Sequence, residues 1–404
     1  MSTLWRNREF TLLWTSQSLS DLGGAIALLA FPLLVLDLTD SALQAGAVGT
    51  AAQVTKLLCR LPSGVLADQL NRRRAMLTCD VIRLVAFAAL ALAVMTGRAG
   101  LTEIVVVALI DAVCGSLFNT TEHAALRSIV PATQLPAAVA HNEARSYGTS
   151  LAGPPLGGVL FGITPALPFV GNALSYLASL IGIALIRKPL QAERPHSHEG
   201  HRAALLEGLR FVFRNPFLRT VLIVAAPLNL ALYGSMFTII VTLQAHDVTP
   251  GVIGLTETIV GVGGLLGALA APLLQRWLSF AVLIRGLCWA ATLFLAVSAF
   301  FTTSVAAAAP IALAIFVGPA CNAALFGYQA AITPDHLQGR VLSVIFLFAM
   351  SAATAAPLLA GIFVTAWSAP ISIALFAAAV SVSAVTASVA PAIRDMKPIE
   401  TITP

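Results

Sequence analysis

Long apolar stretches alternate with short polar loops along the whole chain. A helix needs about 20 apolar residues to cross a bilayer, and runs of that length recur throughout this sequence. They predict twelve spans, at residues 11–36, 45–67, 76–97, 102–122, 140–163, 166–186, 218–243, 251–274, 280–301, 304–328, 340–364 and 369–391. The pattern therefore predicts an all-α polytopic membrane protein with twelve transmembrane helices.

One longer polar segment separates the sixth span from the seventh. We expect an N-terminal six-helix half over 1–187, a cytoplasmic linker over 188–216 and a C-terminal six-helix half over 217–404. Within the linker, residues 203–214 predict an amphipathic surface helix. The linker histidines do not indicate a metal site, because an exposed His-rich linker usually binds nothing specific; they are His196, His198 and His201.

The two halves also repeat one another. The dipeptide Arg6-Asn7 before the first span recurs as Arg214-Asn215 before the seventh. Three further residues recur 203 positions later, where Pro131, Pro154 and Gly158 match Pro334, Pro357 and Gly361. Repeated halves are typical of secondary transporters, in which the substrate site lies at the repeat interface.

Composition and charge agree with a membrane location. The chain is 58% hydrophobic and 10% charged, against about 25% charged in soluble domains. With both termini in the cytoplasm, 20 of the 23 lysines and arginines lie in cytoplasmic segments or at cytoplasmic helix ends, the exceptions being Lys56, Arg60 and Arg98. Because topology accounts for the net charge of +5, the sequence gives no reason to expect a nucleic-acid partner.

A short basic loop joins the second and third spans. It contains Gly64, Asp68 and the run Arg72-Arg73-Arg74, with the spacing G-x-x-x-D-x-x-x-R-R. This loop resembles the signature of the major facilitator superfamily. The resemblance implies that Asp68 caps the helix starting near Gly339 and holds the two halves together in the outward-facing state. A carboxylate is suited to that position at a helix N-terminus.

Two positions depart from that signature. Gln69 stands where the superfamily has Arg or Lys, and Asn71 stands where it has Gly. Asn tolerates the left-handed turn that a glycine would make, so we expect the loop to be preserved.

The fifth span carries a second family-like motif, whose residues Gly153, Pro154, Gly157 and Gly158 resemble the superfamily's antiporter motif. Its glycines favour close helix packing and its proline favours a bend, so an ordinary kinked packing helix is the alternative. Segments 118–158 and 328–361 resemble the macrolide-efflux and enterobactin-exporter branch of the superfamily.

Ionisable residues within predicted spans are functional candidates, because burying a charge in a bilayer is costly. We take five of them as candidates: Asp21, Lys56, Arg60, Asp111 and Glu257. Asp21 and Lys56 are at similar depth on consecutive spans, which predicts an ion pair between them. Asp111 is the first candidate for a proton or cation site, and Asp80 with Arg83 is expected to form a structural pair.

These features predict a secondary active transporter, specifically a proton-coupled exporter of a lipophilic small molecule such as a drug, antibiotic or siderophore. An uptake carrier of the same fold is the alternative. A membrane enzyme is disfavoured because the sequence has no repeated D-x-x-x-D pair, no H-E-x-x-H and no nucleophile elbow. An ATP-driven pump is disfavoured because it has no G-x-x-x-x-G-K-S/T loop. We expect a monomer in the cell membrane with both termini cytoplasmic, whose partners are the substrate, protons and lipid, with neither cofactor nor metal.

Overall fold

The computed structural model describes residues 4–191, 201–334 and 337–394. These residues form sixteen α-helices with three short 3-10 turns. The helices are α1 (Arg8–Thr39), α2 (Ala42–Gln69), α3 (Arg72–Met95), α4 (Leu101–Ile129), α5 (Leu135–Ile163), α6 (Leu167–Leu185), α7 (His201–Arg214), α8 (Pro216–Ala245), α9 (Pro250–Trp277), α10 (Phe280–Ser298), α11 (Ala308–Phe316), α12 (Gly318–Ile332), α13 (Gln338–Thr354), α14 (Ala356–Ala366), α15 (Ala369–Val389) and α16 (Pro391–Arg394).

The predicted all-α polytopic fold is confirmed. Within the described residues, ten helical stretches are long and apolar enough to cross a membrane. The other two predicted spans coincide with α2 and α5, which have 28 and 29 residues. Both are long enough to span, but charged, small and proline residues dilute their apolar character.

Two predicted spans are each built from two helices. Span 304–328 corresponds to α11 and α12, and span 340–364 corresponds to α13 and α14. In both cases a proline occupies the first turn of the second helix, Pro319 in α12 and Pro357 in α14. Proline lacks the N–H that continues a helix and is favoured at a helix start, so it marks the break.

The repeated asparagines have the same local role in the two halves. The side chain of Asn7 accepts hydrogen bonds from the amides of Glu9 and Phe10 at the start of α1, at 3.1 and 3.3 Å. Asn215 accepts from the amides of Phe217 and Leu218 at the start of α8, at 3.0 and 3.3 Å. Both residues are therefore N-caps, which satisfy amides that the first helical turn leaves free.

The chain divides into two compact units. Unit 1 comprises Met1–Pro195 and Asp247–Thr258, so it contains α1 to α6 and the first turns of α9. Its core includes the fully buried side chains of Phe10, Leu13 and Met76. Unit 2 comprises His196–His246 and Ile259–Pro404, and its core includes Leu218, Val341 and Val344.

Helix α7 lies where the linker predicts a surface helix, and it packs within unit 2. A Cβ added at Gly208 would lie 3.1 Å from the Cβ of Arg340 on α13, so the two helices are close. Arg340 also forms an ion pair with Glu207. Val212 is buried in the core of unit 2 as expected for the apolar side of the helix, whereas Leu206 is exposed.

Candidate functional site

Unit 1 contains a cluster of charged and polar side chains contributed by five of its helices. Its first part is centred on Arg145 of α5, which is 7% exposed. Arg145 Nε lies 2.8 Å from Asp21 Oδ2 on α1. Arg145 Nη2 donates to Glu122 Oε1 on α4 at 2.9 Å. One guanidinium thus connects carboxylates from two other helices.

The second part of the cluster is centred on Arg83 of α3. Arg83 Nε donates to Asp111 Oδ1 on α4 at 2.9 Å. The same carboxylate oxygen accepts from the hydroxyl of Tyr176 on α6 at 2.8 Å. The guanidinium carbon of Arg83 also lies 4.1 Å from the centre of the Tyr176 ring, a cation–π arrangement. Arg83 and Tyr176 thus meet at one oxygen of Asp111, whose side chain is 31% exposed.

The third part contains Asp80 of α3, which is fully buried. Its Oδ2 accepts from Ser179 Oγ on α6 at 2.6 Å. Ser179 Oγ in turn accepts from Gln17 Nε2 on α1 at 2.9 Å. Asp80 Oδ1 has no hydrogen-bond partner among the described residues.

Two predicted ion pairs are wrong. Asp21 pairs with Arg145 rather than with Lys56, and the side chains of Lys56 and Arg60 are exposed on α2. The predicted pair joins adjacent spans, whereas α1 places Asp21 against Arg145 of α5. Arg83 likewise pairs with Asp111 across helices rather than with Asp80 on its own helix.

Glu257 is separate from this cluster. It lies in the second turn of α9, and its side chain is half-buried. In the part of the chain that the structure describes, Glu257 forms no ion pair.

The basic loop between α2 and α3 is tied to the rest of unit 1 by its arginines. Arg72 Nη1 donates to the carbonyls of Ala124 and Leu190, each at 3.1 Å, and Arg73 donates to the carbonyl of Ala184. Gly64 lies within α2. The side chain of Asp68 lies outside the part that the structure describes.

Asn71 does not adopt a left-handed conformation. Its φ and ψ are −67° and 113°, and its side chain accepts from the amide of Arg74 at 3.1 Å. Asn71 is therefore the N-cap of α3, a role that its side-chain oxygen fills and a glycine has no side chain to fill.

The motif in α5 allows close helix packing within unit 1. A Cβ added at Gly153 would lie 2.9 Å from the carbonyl carbon of Ala25 on α1, and one at Gly157 would lie 2.7 Å from the carbonyl oxygen of Ile26. A Cβ at Gly158 would lie 2.7 Å from the carbonyl carbon of Pro250, in the first turn of α9. Despite Pro154 and Pro155, α5 remains one continuous helix.

No cluster of three or more His, Cys, Asp or Glu side chains among the described residues is placed to hold a metal ion. The structure does not test whether the linker histidines bind a metal. His196 and His198, with the side chain of His201, lie outside the described part.

Sequence reasoning missed Glu122 and Arg145 because of where the predicted spans end. Glu122 is the last residue of predicted span 102–122, yet α4 continues to Ile129. Arg145 lies near the cytoplasmic end of predicted span 140–163, yet α5 begins ten residues before it, at Leu135. Both side chains are therefore well inside long helices, where a charge needs a partner.

The charges of the cluster are unequal in number. Four carboxyl groups, from Asp21, Asp80, Asp111 and Glu122, accompany the two guanidinium groups of Arg83 and Arg145. Buried charges are stable only when paired. A cluster with an excess of carboxyl groups can take up and release protons as its pairing changes.

Comparison with known proteins places this arrangement in context. The family model described as transmembrane secretion effector matches residues 2–402. The chain is 27% identical over 358 residues to the multidrug efflux pump Tap of Mycolicibacterium fortuitum, covering 84% of this chain and 85% of that one. It is also 27% identical over 366 residues to the Tap pump of Mycobacterium tuberculosis, covering 84% and 83%.

Solved transporter structures share the fold. A bacterial homologue of the human lysosomal transporter spinster, inward-facing and occupied, superposes with a TM-score of 0.74 at 13% identity, covering 96% of this chain and 97% of that one. An inward-facing bacterial homologue of the iron transporter ferroportin superposes with a TM-score of 0.70 at 18% identity, covering 96% of this chain and 99% of that one. This chain therefore belongs to the transmembrane secretion effector family, a group of multi-pass membrane transporters within the major facilitator superfamily.

Proposed function

We propose that this protein exports lipophilic small molecules, including drugs, in exchange for protons. The observation that carries the proposal is the similarity to named multidrug efflux pumps over 84% of the chain. Transporters built from repeated halves work by alternating access around a central site. This chain would use that cycle to move its substrate outward while protons move inward.

Proton coupling is assigned to carboxyl groups inside the helices. Asp111 is the first candidate, because it is partly exposed and connects to a second helix through Arg83. Asp21 and Glu257 are the other candidates. Asp21 is bound to Arg145, so a change in its charge would alter how that guanidinium is shared with Glu122.

The two family-like motifs receive conformational roles in this proposal. The loop with Gly64, Asp68, Arg72 and Arg73 would act as a switch between the outward- and inward-facing states. The glycines of α5 would preserve a close contact with α1 through the cycle, as their lack of space for a Cβ supports.

The protein is proposed to act as a monomer in the cell membrane with both termini in the cytoplasm. The distribution of basic residues supports this orientation. Reporter fusions give the test: an enzyme that is active only outside the cytoplasm should be inactive at either terminus, and active when fused after Arg98 in the loop between α3 and α4. The opposite pattern would show that both termini lie outside the cytoplasm.

The export proposal is tested with ethidium, a fluorescent lipophilic cation. Cells that express the protein should accumulate less ethidium than control cells, and a protonophore should abolish the difference. Equal accumulation with and without the protein would contradict export of this class of compound. An unchanged difference after the gradient collapses would contradict proton coupling.

Variants then assign the coupling groups. Asp111→Asn should abolish gradient-driven export, while Asp37→Asn should behave as wild type, because Asp37 is exposed and outside the cluster. If Asp111→Asn, Asp21→Asn and Glu257→Gln all export normally against a gradient, coupling does not run through these three groups.

A further inference from the structure

Asp80 is the carboxyl group of the unit 1 cluster that lacks an ion-pair partner among the described residues. It is 0% exposed, and its only polar contact there is the 2.6 Å hydrogen bond from Ser179 Oγ. A carboxylate in such a place would be an unpaired buried charge, which is strongly disfavoured. The arrangement is therefore stable when Asp80 holds a proton, and Oδ1, which has no hydrogen-bond partner in the described part of the chain, can carry it.

One of the groups around Asp80 can change whether Asp80 holds a proton. Helix α6 presents the uncharged Ser179, and α1 presents the uncharged Gln17 behind it. The charged and titratable groups nearby are Arg83 and the thiol of Cys79 on α3, with Glu122 and the thiol of Cys114 on α4. Arg83 is the single positive charge in this set.

Arg83 is placed to reach either of two carboxyl groups. In the structure it binds Asp111 on α4. Asp80 precedes it by three residues on the same helix, and side chains at that spacing are neighbours on a helix surface. A rotation of the long Arg83 side chain would exchange one partner for the other. Asp111 is also the more accessible of the two, since Asp80 is fully buried.

We propose that Arg83 alternates between Asp111 and Asp80, and that this exchange links a cationic group of the substrate at Asp111 to a proton on Asp80. The proposal rests on the proton-coupled export proposed above. When the substrate cation binds Asp111 it displaces Arg83, which turns to Asp80. The O–H bond of Asp80 then breaks, its electron pair stays on the carboxylate, and the proton leaves to water.

The charge of the cluster is the same before and after this exchange. Beforehand, Arg83 neutralises Asp111, and Asp80 is neutral with its proton. Afterwards, the substrate cation neutralises Asp111, and Arg83 neutralises Asp80. One proton leaves for each cation bound, so neither Asp111 nor Asp80 is an unpaired buried charge at either stage. Return of the proton to Asp80 releases Arg83, which expels the substrate.

Proton release on ligand binding tests the exchange. Purified full-length protein in weakly buffered detergent solution is mixed with tetraphenylphosphonium, and a pH indicator reports released protons. Wild type should release about one proton per bound cation near neutral pH. Asp80→Asn should bind the cation and release none, whereas the control Asp37→Asn should release as much as wild type. Release from Asp80→Asn at the wild-type level would overturn the proposal.

Infrared difference spectroscopy gives a second readout. Tetraphenylphosphonium should remove the C=O stretch of a protonated carboxyl from the wild-type spectrum, and Ser179→Ala should shift that band because Ser179 bonds to Asp80. A band that persists with the ligand, or that Ser179→Ala leaves in place, contradicts the exchange. If Asp80→Asn does not fold, two other variants decide the question. Ser179→Ala should shift the carboxyl band, and Asp80→Glu should retain proton release.

The failure of this proposal is distinguishable from failure of the proposed function. Proton-driven export of ethidium by wild type, together with undiminished proton release from Asp80→Asn, overturns the exchange and leaves export intact. Export by wild type that ignores the proton gradient overturns the proposed function itself. Absence of tetraphenylphosphonium binding by wild type overturns the cation site at Asp111.

Discussion

Arg145 on α5 and Glu122 on α4 form a buried ion pair, with Nη2 and Oε1 2.9 Å apart and side chains 7% and 3% exposed. Asp21 on α1 shares the same guanidinium. Three helices are thus joined by charges that each depend on the others. Removing one member of such a group leaves a buried charge without its partner, a change that costs about 3–5 kcal/mol.

We predict that Arg145→Met lowers stability more than Glu122→Gln does. Arg145→Met leaves two carboxylates unpaired, whereas Glu122→Gln leaves Arg145 still bound to Asp21. The double variant Arg145→Met with Glu122→Gln should recover part of the loss. Thermal melting of the purified protein in detergent measures the three effects.

The matched control for these three variants is Arg8→Met, because Arg8 is mostly exposed in its pair with Glu9. Exposed substitutions usually change stability by about 0.5 kcal/mol or less. If the effects of Arg145→Met and Glu122→Gln simply add in the double variant, the two side chains are not energetically coupled.

The glycines of α5 give a second prediction. Gly153 faces the backbone of Ala25, whereas a Cβ at Gly148, in the same helix, meets no atom within 4 Å. Gly153→Ala should therefore destabilise the protein by about 1–3 kcal/mol through overpacking. Gly148→Ala should stabilise it by about 0.5–1 kcal/mol, because alanine loses less backbone entropy in a helix than glycine.

Folded yield and melting temperature of the two alanine variants separate close packing from a general intolerance of change in α5. Similar effects of both substitutions would show that the contact with Ala25 does not constrain this helix.

The apolar runs predicted the helices well because a bilayer imposes a length and a composition on every span. Side-chain pairing was much less predictable. Asp21 has Lys56 as a neighbour in sequence order, but its actual partner, Arg145, depends on α1 packing against α5. Glu122 and Arg145 lie near the ends of predicted spans 102–122 and 140–163, where a charge is expected to reach water, but α4 continues to Ile129 and α5 begins already at Leu135.

The loop between α2 and α3 gives a third prediction. Asp68→Asn should reduce transport while leaving expression and substrate binding largely intact, as expected for a residue that locks one conformational state. Gln69→Arg should have a mild effect, because Arg72 and Arg73 are already held by backbone carbonyls. Ethidium export and binding measured on the same variants check both statements, and normal export by Asp68→Asn would exclude the lock.

The repeated N-caps give the last prediction, because one of them has an additional contact. Asn7 Nδ2 donates to the carbonyl of Ile129 at the end of α4, at 3.2 Å. Asn215→Ala should cost about 1 kcal/mol, the usual value of an N-cap. Asn7→Ala should cost that amount plus the net value of one hydrogen bond, about 0.5–1.5 kcal/mol. The lower part of that range is expected, because Lys188 Nζ also donates to the Ile129 carbonyl, at 3.2 Å.

Aspartate variants separate the cap from the additional bond. Asn215→Asp retains the capping oxygen and places a negative charge at a helix N-terminus, so it should be neutral or slightly stabilising. Asn7→Asp retains the same oxygen but loses the amide donor to Ile129, so it should be less stable than Asn215→Asp. Melting temperatures of the four variants decide the matter. Equal shifts for Asn7→Asp and Asn215→Asp would mean that the contact between the start of α1 and the end of α4 adds nothing to the stability of unit 1.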